Sequence, residues 1–366
     1  MATVVAKIGT SSLTDERGVI AVDAIERTVA QIAQLRAAGH KVVLVTSAAV
    51  AAGLEALGMG DRRPADVLTL QAVSAVGQSR LMKVWDAAFA AQSLVSGQVL
   101  LTPNDFFDRR QYLHARNTLH RLLELGVVPV INENDAIAND ELRFGDNDRI
   151  AALVAHLVGA DVLVLLTDTP GLFTANPKTD PTAKLIEQVD DVTPELEAVA
   201  GAAGSARGSG GMSSKLRAAK IASWCGVRAV IAGSKGPQSL VDAVAGRKGV
   251  GTTVAAHDRK VSARKLWIGF AGDADGVLVV DDGARRALIE RNVSLLAAGV
   301  SSVSGDFVEG DLVEIHDQAG TLIARGVVRV DAVTARSSQG KRTDELAENG
   351  PGVVVHRDDL VLLIAQ

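Results

Sequence analysis

Five short apolar runs dominate the N-terminal part of this 366-residue chain and constrain its fold most strongly. They are rich in valine, isoleucine and leucine, and they do not alternate apolar with polar residues: Thr3–Ile8, Lys41–Thr46, Val127–Ile131, Val162–Thr167 and Arg228–Ala232. A strand with one wet face alternates, whereas an unbroken apolar run indicates a strand buried on both faces. The runs therefore predict a parallel sheet covered by helices.

Helical patterns separate these runs. Apolar residues recur at helical spacing and then meet a glycine in three segments: Ile25–Ile32 before Gly39, Leu119–Leu123 before Gly126, and Ile150–Leu157 before Gly159. Asp23 with Glu26 predicts a capping box for the first of them. Hydrophobic residues make up 47% of the chain but aromatics only 3%, so alanine, valine and leucine must fill the core. The alternation predicts a layered α/β domain with right-handed crossovers.

The pattern changes after about residue 257. Four β-rich runs follow, at Val277–Val280, Asp311–His316, Thr321–Val330 and Gly352–His356, interrupted by a helical segment at Gly283–Arg291. The polar stretch Val333–Gly350 reads as a loop. These features predict a separate β-rich module of about 80 residues.

Charge and cysteine content narrow the class of protein. The net charge is −5, which gives no overall attraction to nucleic acid or anionic membranes. The single cysteine, Cys225, excludes an internal disulfide and fits a reducing compartment. The sequence shows neither a signal-peptide pattern at its start nor an apolar run near the roughly 20 residues that span a bilayer. We expect a cytoplasmic protein without membrane contact.

The segment Gly208–Lys215 carries the clearest chemical signal. Its three glycines expose backbone N–H groups to a charged ligand, and a helix is predicted to follow, capped by Ser213 or Ser214. Lys215 then lies in the first turn, where the helix dipole disfavours a cation by about 0.3–1 kcal/mol. A bound phosphate would reverse that sign. The alternative is a flexible surface loop with a solvated lysine.

Polar residues also follow the predicted strands, at the sheet edge where α/β proteins bind ligands. Lys7 precedes Gly9–Ser12, and it either meets an anion or extends to water. The segment Thr46–Ala49 could bind a carboxylate through its hydroxyls and amides, or its serine could simply be the N-cap of a helix. Thr167–Asp168, followed by a Pro-Gly turn, suits a ribose or base.

Of two further polar clusters, Asn132–Asp135 follows the Val127–Ile131 run and Gly145–Asp148 opens the helix that contains Ile150. Their side chains could hold an amino group, a metal or a lysine, or they could serve only as turn and capping residues. The spacing is a poor match to a calcium loop. The chain also lacks both the P-loop motif and G-x-G-x-x-G after its first strand.

Together these segments resemble the amino-acid kinase family. The resemblance rests on Val5–Thr10, Val45–Ser47, Val76–Ser79, Val128–Asp135, Gly145–Asp148, Leu166–Asp168 and Ser209–Lys215, which follow the family's order. The C-terminal module, with Ser304–Phe307 and Gly310–Asp311, resembles a PUA domain. The resemblance implies an αβα sandwich with a mainly parallel sheet (residues 1–257), a linker (258–274) and a small β-rich PUA-like barrel (275–355). Within the first domain, about 1–150 would bind glutamate and 151–257 would bind ATP.

The resemblance implies ATP- and Mg²⁺-dependent phosphorylation of the γ-carboxylate of L-glutamate, the first step of proline biosynthesis. Lys7 and Lys215 would grip the phosphates, and Asp148 would hold the two lysines. Glutamate would bind to Ser47, Asp135 and Asn147, with Asn132 and Asp146 in support. ATP would contact both lysines and the residues Thr167, Asp168, Ser209, Gly210, Gly211, Met212, Ser213 and Ser214. The resemblance further implies feedback inhibition by proline, a homo-oligomer (dimer or tetramer) and transfer of the labile product to glutamyl phosphate reductase.

One position departs from the family pattern: the family usually has Ser-Gly-Ala, and in this chain Ala48 takes the place of the glycine after Ser47. If residue 48 needs a positive φ, glutamate binding would be weakened or reshaped.

The rival functions are a kinase of the same fold acting on acetylglutamate, aspartate, carbamate or UMP, a catalytically silent regulatory protein, and an RNA-interacting PUA protein. Residues 273–357 contain 14 Asp/Glu and 9 Lys/Arg, a charge of −5 that does not favour RNA.

Overall fold

The computed structural model describes residues 1–60, 63–106, 108–137, 147–177, 179–202, 211–257, 263–270, 274–342 and 352–363. The chain divides into two compact units, residues 1–260 and 261–366. None of the helices in the described ranges has the length and apolarity needed to cross a bilayer.

The first unit alternates strands and helices along the chain. In order, its elements are β1 (Thr3–Ile8), α1 (Thr10–Leu13), α2 (Val22–Ala37), β2 (Lys41–Val45), α3 (Ala49–Ala56), α4 (Val67–Ala91), β3 (Ser96–Leu101), α5 (Arg109–Glu124), β4 (Val128–Glu133), α6 (Asn147–Leu157), β5 (Val162–Thr167), β6 (Gln188–Val189), α7 (Pro194–Ala202), α8 (Met212–Trp224), β7 (Arg228–Gly233), α9 (Ser239–Ala245) and β8 (Thr252–Val254).

The strands form one eight-stranded sheet in the order β3-β4-β2-β1-β5-β7-β8-β6. Its pairings are parallel except for the antiparallel pair β7–β8. The five predicted strands are confirmed as β1, β2, β4, β5 and β7. Strand β3 escapes prediction because its first residues, Ser96-Gly97-Gln98, are neither apolar nor β-branched. Since β1 lies between β2 and β5, the chain reverses its direction of growth beside β1, where α/β sheets bind ligands.

Successive side chains of β1 point to opposite faces of the sheet, and this separates its core side chains from Lys7. Val4, Ala6 and Ile8 pack into the apolar core that includes residues of α2 and Trp85 of α4. Because successive strand residues point to opposite faces, Lys7 projects to the other face of the sheet. Helix α6 contacts β1, β2, β4 and β5, so it accompanies the strands that carry the polar ends.

The predicted capping box at Asp23 and Glu26 is wrong. Helix α2 begins at Val22 with Ala21 as its N-cap, and the Asp23 carboxylate instead pairs with Arg27 one turn later on the exposed face. The helix end is as predicted, because Gly39 follows Ala37 with a positive φ of 84°.

The second unit contains α10 (Ala263–Phe270), β9 (Gly276–Val280), α11 (Asp282–Arg291), β10 (Leu295–Leu296), β11 (Val300–Gly305), β12 (Leu312–His316), β13 (Leu322–Val328), α12 (Ala332–Ser338) and β14 (Val353–Leu362). Its six strands form a mixed sheet in the order β10-β14-β13-β12-β9-β11. The sheet encloses an apolar core that includes Phe307 and Leu288. Helix α10 packs on β13 and β14.

The prediction that Val333–Gly350 is a loop is wrong over its first residues, where α12 lies. The Asp331 carboxylate caps this helix by accepting a hydrogen bond from the Thr334 N–H. Ala332, Ala335 and Ser338 recur every three residues and are buried, so a stripe of small side chains replaces the large apolar stripe of an ordinary amphipathic helix. Residues 343–350 lie outside the described ranges.

Candidate functional site

The predicted polar residues meet at the carboxyl edge of the first sheet. Strands β1, β2, β4 and β5 end in Lys7-Ile8, Val45, Glu133 and Thr167, and they are neighbours in the parallel sheet. Their trailing residues therefore converge on one edge, above the start of α6. Three linked groups of side chains occupy this edge: a lysine pair, an amide network and a hydroxyl cluster.

Asp148 joins the lysine pair. Its Oδ1 lies 2.7 Å from the Lys7 Nζ and its Oδ2 lies 3.3 Å from the Lys215 Nζ. The Ser214 hydroxyl donates to the same Oδ2 at 2.8 Å. Lys7, Asp148 and Lys215 are at most 5% exposed, although 208 residues separate the two lysines in sequence. The two lysines that the resemblance assigns to the phosphates thus lie on either side of one carboxylate.

This triad carries one more positive than negative charge. Burial by itself raises the pKa of Asp148, but the charges of Lys7 and Lys215 outweigh burial and lower that pKa. Burial also lowers the pKa of Lys215, against the attraction of Asp148. A buried site with an excess cation is suited to an anion, which would replace the missing negative charge.

Gly9 leaves open the space beside the Lys7 ammonium. A Cβ built on Gly9 would lie 3.3 Å from the Lys7 Nζ, closer than side-chain carbons normally pack. The glycine therefore lets a ligand approach that ammonium group.

An amide network lies next to the triad, because Asn147 directly precedes Asp148. The backbone N–H of Glu133 donates to the Asn132 Oδ1 at 2.9 Å and to the Asn147 Oδ1 at 3.1 Å. The Asn147 Nδ2 donates to the Asn132 Oδ1 at 3.1 Å and to the Ser47 Oγ at 3.2 Å. The network thus brings Ser47, Asn132 and Asn147 together.

Asp135 lies just beyond this network and is 9% exposed. Its Oδ2 accepts a hydrogen bond from the Ser74 hydroxyl at 2.6 Å. Burial raises the pKa of Asp135, while this hydrogen bond and the charge of Arg63 oppose the rise. A buried carboxylate held by one short hydrogen bond has acceptor capacity left for an ammonium group.

The hydroxyl cluster lies at the ends of β1, β5 and β7. The Ser234 N–H donates to the Thr167 carbonyl at 2.7 Å, and the Ser234 hydroxyl donates to the Ser12 hydroxyl at 2.9 Å. The Thr167 hydroxyl donates to the Asp168 Oδ1 at 3.1 Å. Asp168 acts electrostatically on Lys215, so this cluster adjoins the triad on the side away from Ser47.

Residue 48 does adopt a positive φ. Ala48 has φ 82° and ψ 15° and forms the N-cap of α3, so Ser47 is not the capping residue. The left-handed conformation costs an alanine about 1–2 kcal/mol. Its side chain packs into the apolar core, and its carbonyl accepts from the Ala52 N–H at 3.0 Å.

The predicted capping of α8 by Ser213 or Ser214 is wrong. Gly211 is the N-cap, and no side chain caps this helix. Ser214 instead donates to Asp148, and Lys215 is the fourth residue of the helix rather than a solvated loop residue. Met212 and Ser213 are half-buried beside them. Asp146, Ser209 and Gly210 lie outside the described residues.

Two residues of α4 belong to the site but have no predicted role. Ser74 binds Asp135, and the Gln78 Oε1 accepts from the Asn132 Nδ2 at 2.7 Å. The signal in the sequence is a pair of polar residues four apart in an otherwise largely apolar helix.

Within the described ranges, no group of three or more His, Cys, Asp or Glu residues is arranged to hold a metal ion. Mg²⁺ commonly binds through one or two carboxylates together with substrate phosphates and water, so a nucleotide-bound Mg²⁺ fits a site of this kind without a protein cage.

Comparison with known proteins agrees with this geometry. The profile of the amino acid kinase family matches residues 2–233, and that of the PUA domain matches residues 276–348. The glutamate 5-kinase of Moorella thermoacetica is 44% identical over 98% of this chain and 96% of its own length. The glutamate 5-kinase of Bifidobacterium adolescentis is 45% identical over 99% of this chain and 96% of its own length.

A solved structure shows the same fold. Carbamate kinase from Giardia lamblia bound to AMP-PNP superposes with a TM-score of 0.50 at 18% identity, covering 70% of this chain and 99% of that one. The fold and the site thus define a phosphotransferase of the amino acid kinase class. This chain belongs to the amino acid kinase family, and its full-length relatives place it among the glutamate 5-kinases.

Proposed function

We propose that this protein transfers the γ-phosphoryl group of ATP to the γ-carboxylate of L-glutamate, forming L-glutamyl 5-phosphate and ADP. The observation that carries the proposal is the adjacency of Asn147 and Asp148 at the start of α6. Asn147 belongs to the amide network, and Asp148 joins the two lysines. A substrate bound to the network therefore has its reacting end beside the phosphate-binding cations.

The phosphates of ATP would lie against Lys7, Lys215 and the start of α8, beside Gly211. Thr167 and Asp168 would contact the nucleoside. Asp148 holds both lysines in place, and together they stabilise the charge that spreads over the transferred group. Mg²⁺ would arrive with the nucleotide and neutralise further phosphate charge.

Glutamate would bind through Asp135, which accepts its ammonium group, and through Ser47 and Asn147, with Asn132 and Asp146 in support. The attacking γ-carboxylate is already ionised at pH 7, because the ordinary pKa of such a group is about 4.3. No general base is needed, so catalysis consists of alignment and charge stabilisation.

Membership of the family supports further proposals. We assign residues 1–257 to the kinase domain, with glutamate bound by about 1–150 and ATP by 151–257, and residues 275–355 to the PUA domain. We also propose a cytoplasmic homo-oligomer that proline inhibits and that passes its product to glutamyl phosphate reductase.

A substrate panel tests the reaction. The purified protein is given ATP and Mg²⁺ with glutamate, acetylglutamate, aspartate, carbamate or UMP, and ADP release is followed by a coupled assay. We expect turnover with glutamate alone. Faster turnover with any other member of the panel would reject the proposed substrate.

A further inference from the structure

One side chain at the site has a fixed orientation and an unused donor. Gln78 lies on α4, and its Oε1 accepts from the Asn132 Nδ2 at 2.7 Å. Its Nε2 is buried and meets no hydrogen-bond acceptor among the described residues. Buried side-chain donors normally have a partner, so this amide group calls for an explanation.

The orientation of this amide follows from the backbone. The Glu133 N–H can only donate, so it fixes the Oδ1 atoms of both Asn132 and Asn147 as the acceptors it contacts. The Asn132 Nδ2 must then donate, and the atom of Gln78 that it meets must be the oxygen. The Gln78 NH₂ group is therefore left as a donor, and turning the amide over would break the hydrogen bond with Asn132.

The packing of α4 on α3 places this donor beside the amino-acid site. A Cβ on Gly77 would lie 1.8 Å from the Ala49 carbonyl oxygen, and one on Gly53 would lie 1.9 Å from the Val73 carbonyl oxygen. The two helices thus touch backbone to backbone, close to Ser47. Ser74, one turn before Gln78, holds Asp135, and side chains four apart on a helix are neighbours.

We propose that the Gln78 Nε2 donates a hydrogen bond to the α-carboxylate of the amino-acid substrate. A carboxylate supplies only acceptors, which match an unused N–H, and a charged acceptor gives the stronger bond. In an α-amino acid, the ammonium and the α-carboxylate share one carbon atom. Asp135 takes the ammonium and Gln78 takes the carboxylate beside it, which leaves the γ-carboxylate to face the lysines. This inference rests on the proposed function and assigns one further contact to it.

The substitution Gln78→Glu isolates the donor. It retains an oxygen for the Asn132 Nδ2 but replaces the NH₂ group with a second oxygen. At about pH 8 an ordinary glutamate side chain is ionised, so it would repel the substrate carboxylate. We expect the KM for glutamate to rise about 10- to 100-fold, with kcat and the KM for ATP within about threefold of the parent values. Gln34→Glu, the same change at an exposed position of α2, is the matched control and should leave all constants unchanged.

The second arm uses 4-aminobutyrate, which lacks the α-carboxylate, as a competitive inhibitor against glutamate. Its inhibition constant should not rise in Gln78→Glu. Gln78→Met has no donor and no added charge. It should also raise the KM for glutamate without raising the inhibition constant of 4-aminobutyrate. It replaces Gln78→Glu in this test if that variant does not fold. An unchanged glutamate KM, or an equal rise for both compounds, would overturn the inference. If the parent protein phosphorylates no glutamate, the proposed function fails; if it does and the Gln78 variants match it, only this inference fails.

Discussion

Replacing Asp148 by asparagine tests the buried arrangement of Lys7, Asp148 and Lys215. The carboxylate lies 2.7 Å from one ammonium nitrogen and 3.3 Å from the other, and it is 1% exposed. Asparagine keeps the shape and can still accept from the Ser214 hydroxyl, but it removes the one carboxylate charge that contacts both ammonium groups. At these distances and an effective dielectric constant of about 20, the carboxylate attracts the two ammonium groups by about 6 and about 5 kcal/mol, and the cost of burying its charge offsets much of this. We expect a net loss near the roughly 3–5 kcal/mol found when one member of a buried ion pair is removed.

Two measurements follow from Asp148→Asn. We expect urea denaturation to show a free energy of unfolding lower by about 3 kcal/mol, and kcat to fall about 10²- to 10³-fold, as for the loss of a charge-positioning group. ATP should restore more stability to the variant than to the parent, because its phosphates supply the missing negative charge. Asp23→Asn, the same change at the exposed Arg27 pair, is the control and should have little effect. Parent-like stability together with a kcat within about threefold would refute the reasoning.

Five shorter predictions concern the rest of the site. Lys215→Ala should lower kcat about 10²- to 10³-fold in steady-state assays, and a parent-like kcat would exclude its role. Because burial raises the pKa of Asp135, its charge is present above that raised value, so the KM for glutamate should rise as the pH falls through it. Ser74→Ala removes a hydrogen bond that lowers this pKa, so its KM profile should shift to higher pH; superimposable profiles would contradict this. Ala48→Gly relieves about 1–2 kcal/mol of backbone strain, but it loses a buried methyl group worth about 0.8 kcal/mol and increases the conformational entropy of the unfolded chain. Because these effects oppose one another, the free energy of unfolding measured by urea denaturation should change by no more than about 1 kcal/mol. Gly9→Ala should raise the KM for ATP by crowding Lys7, and an unchanged KM would show that the ligand does not use that space.

The central strands were predictable because a strand that is buried on both faces consists of an unbroken run of apolar residues. The position of Lys7 at the sheet edge followed from its place at the end of a parallel strand. The meeting of Lys7 with Lys215, which lies in a helix, was implied only by the resemblance to the amino-acid kinase family. Strand β3 and helix α12 could not be found in this way. Ser96-Gly97-Gln98 lacks the apolar signal, and the buried residues of α12 are small rather than hydrophobic.

The supporting contacts of the site were harder to predict than its principal residues. The sequence suggests that Ser214 caps a helix, but Gly211, three residues earlier, is the N-cap, and the Ser214 hydroxyl binds Asp148 instead. Gln78 on α4 meets Asn132 on β4, a contact that depends on tertiary packing between elements far apart in sequence. The strain at Ala48 could be predicted only conditionally, because the residue type alone does not determine the φ angle at that position.

Trapping of the reaction product tests the central claim most directly. The protein is incubated with ATP, Mg²⁺ and glutamate in the presence of hydroxylamine, which converts an acyl phosphate into a hydroxamate. We predict the γ-hydroxamate of glutamate in amounts equal to the ADP formed, and its loss when Lys7 or Lys215 is replaced by alanine. ADP formation without any hydroxamate, or a hydroxamate yield that survives both replacements, would contradict phosphoryl transfer to glutamate between two converging lysines.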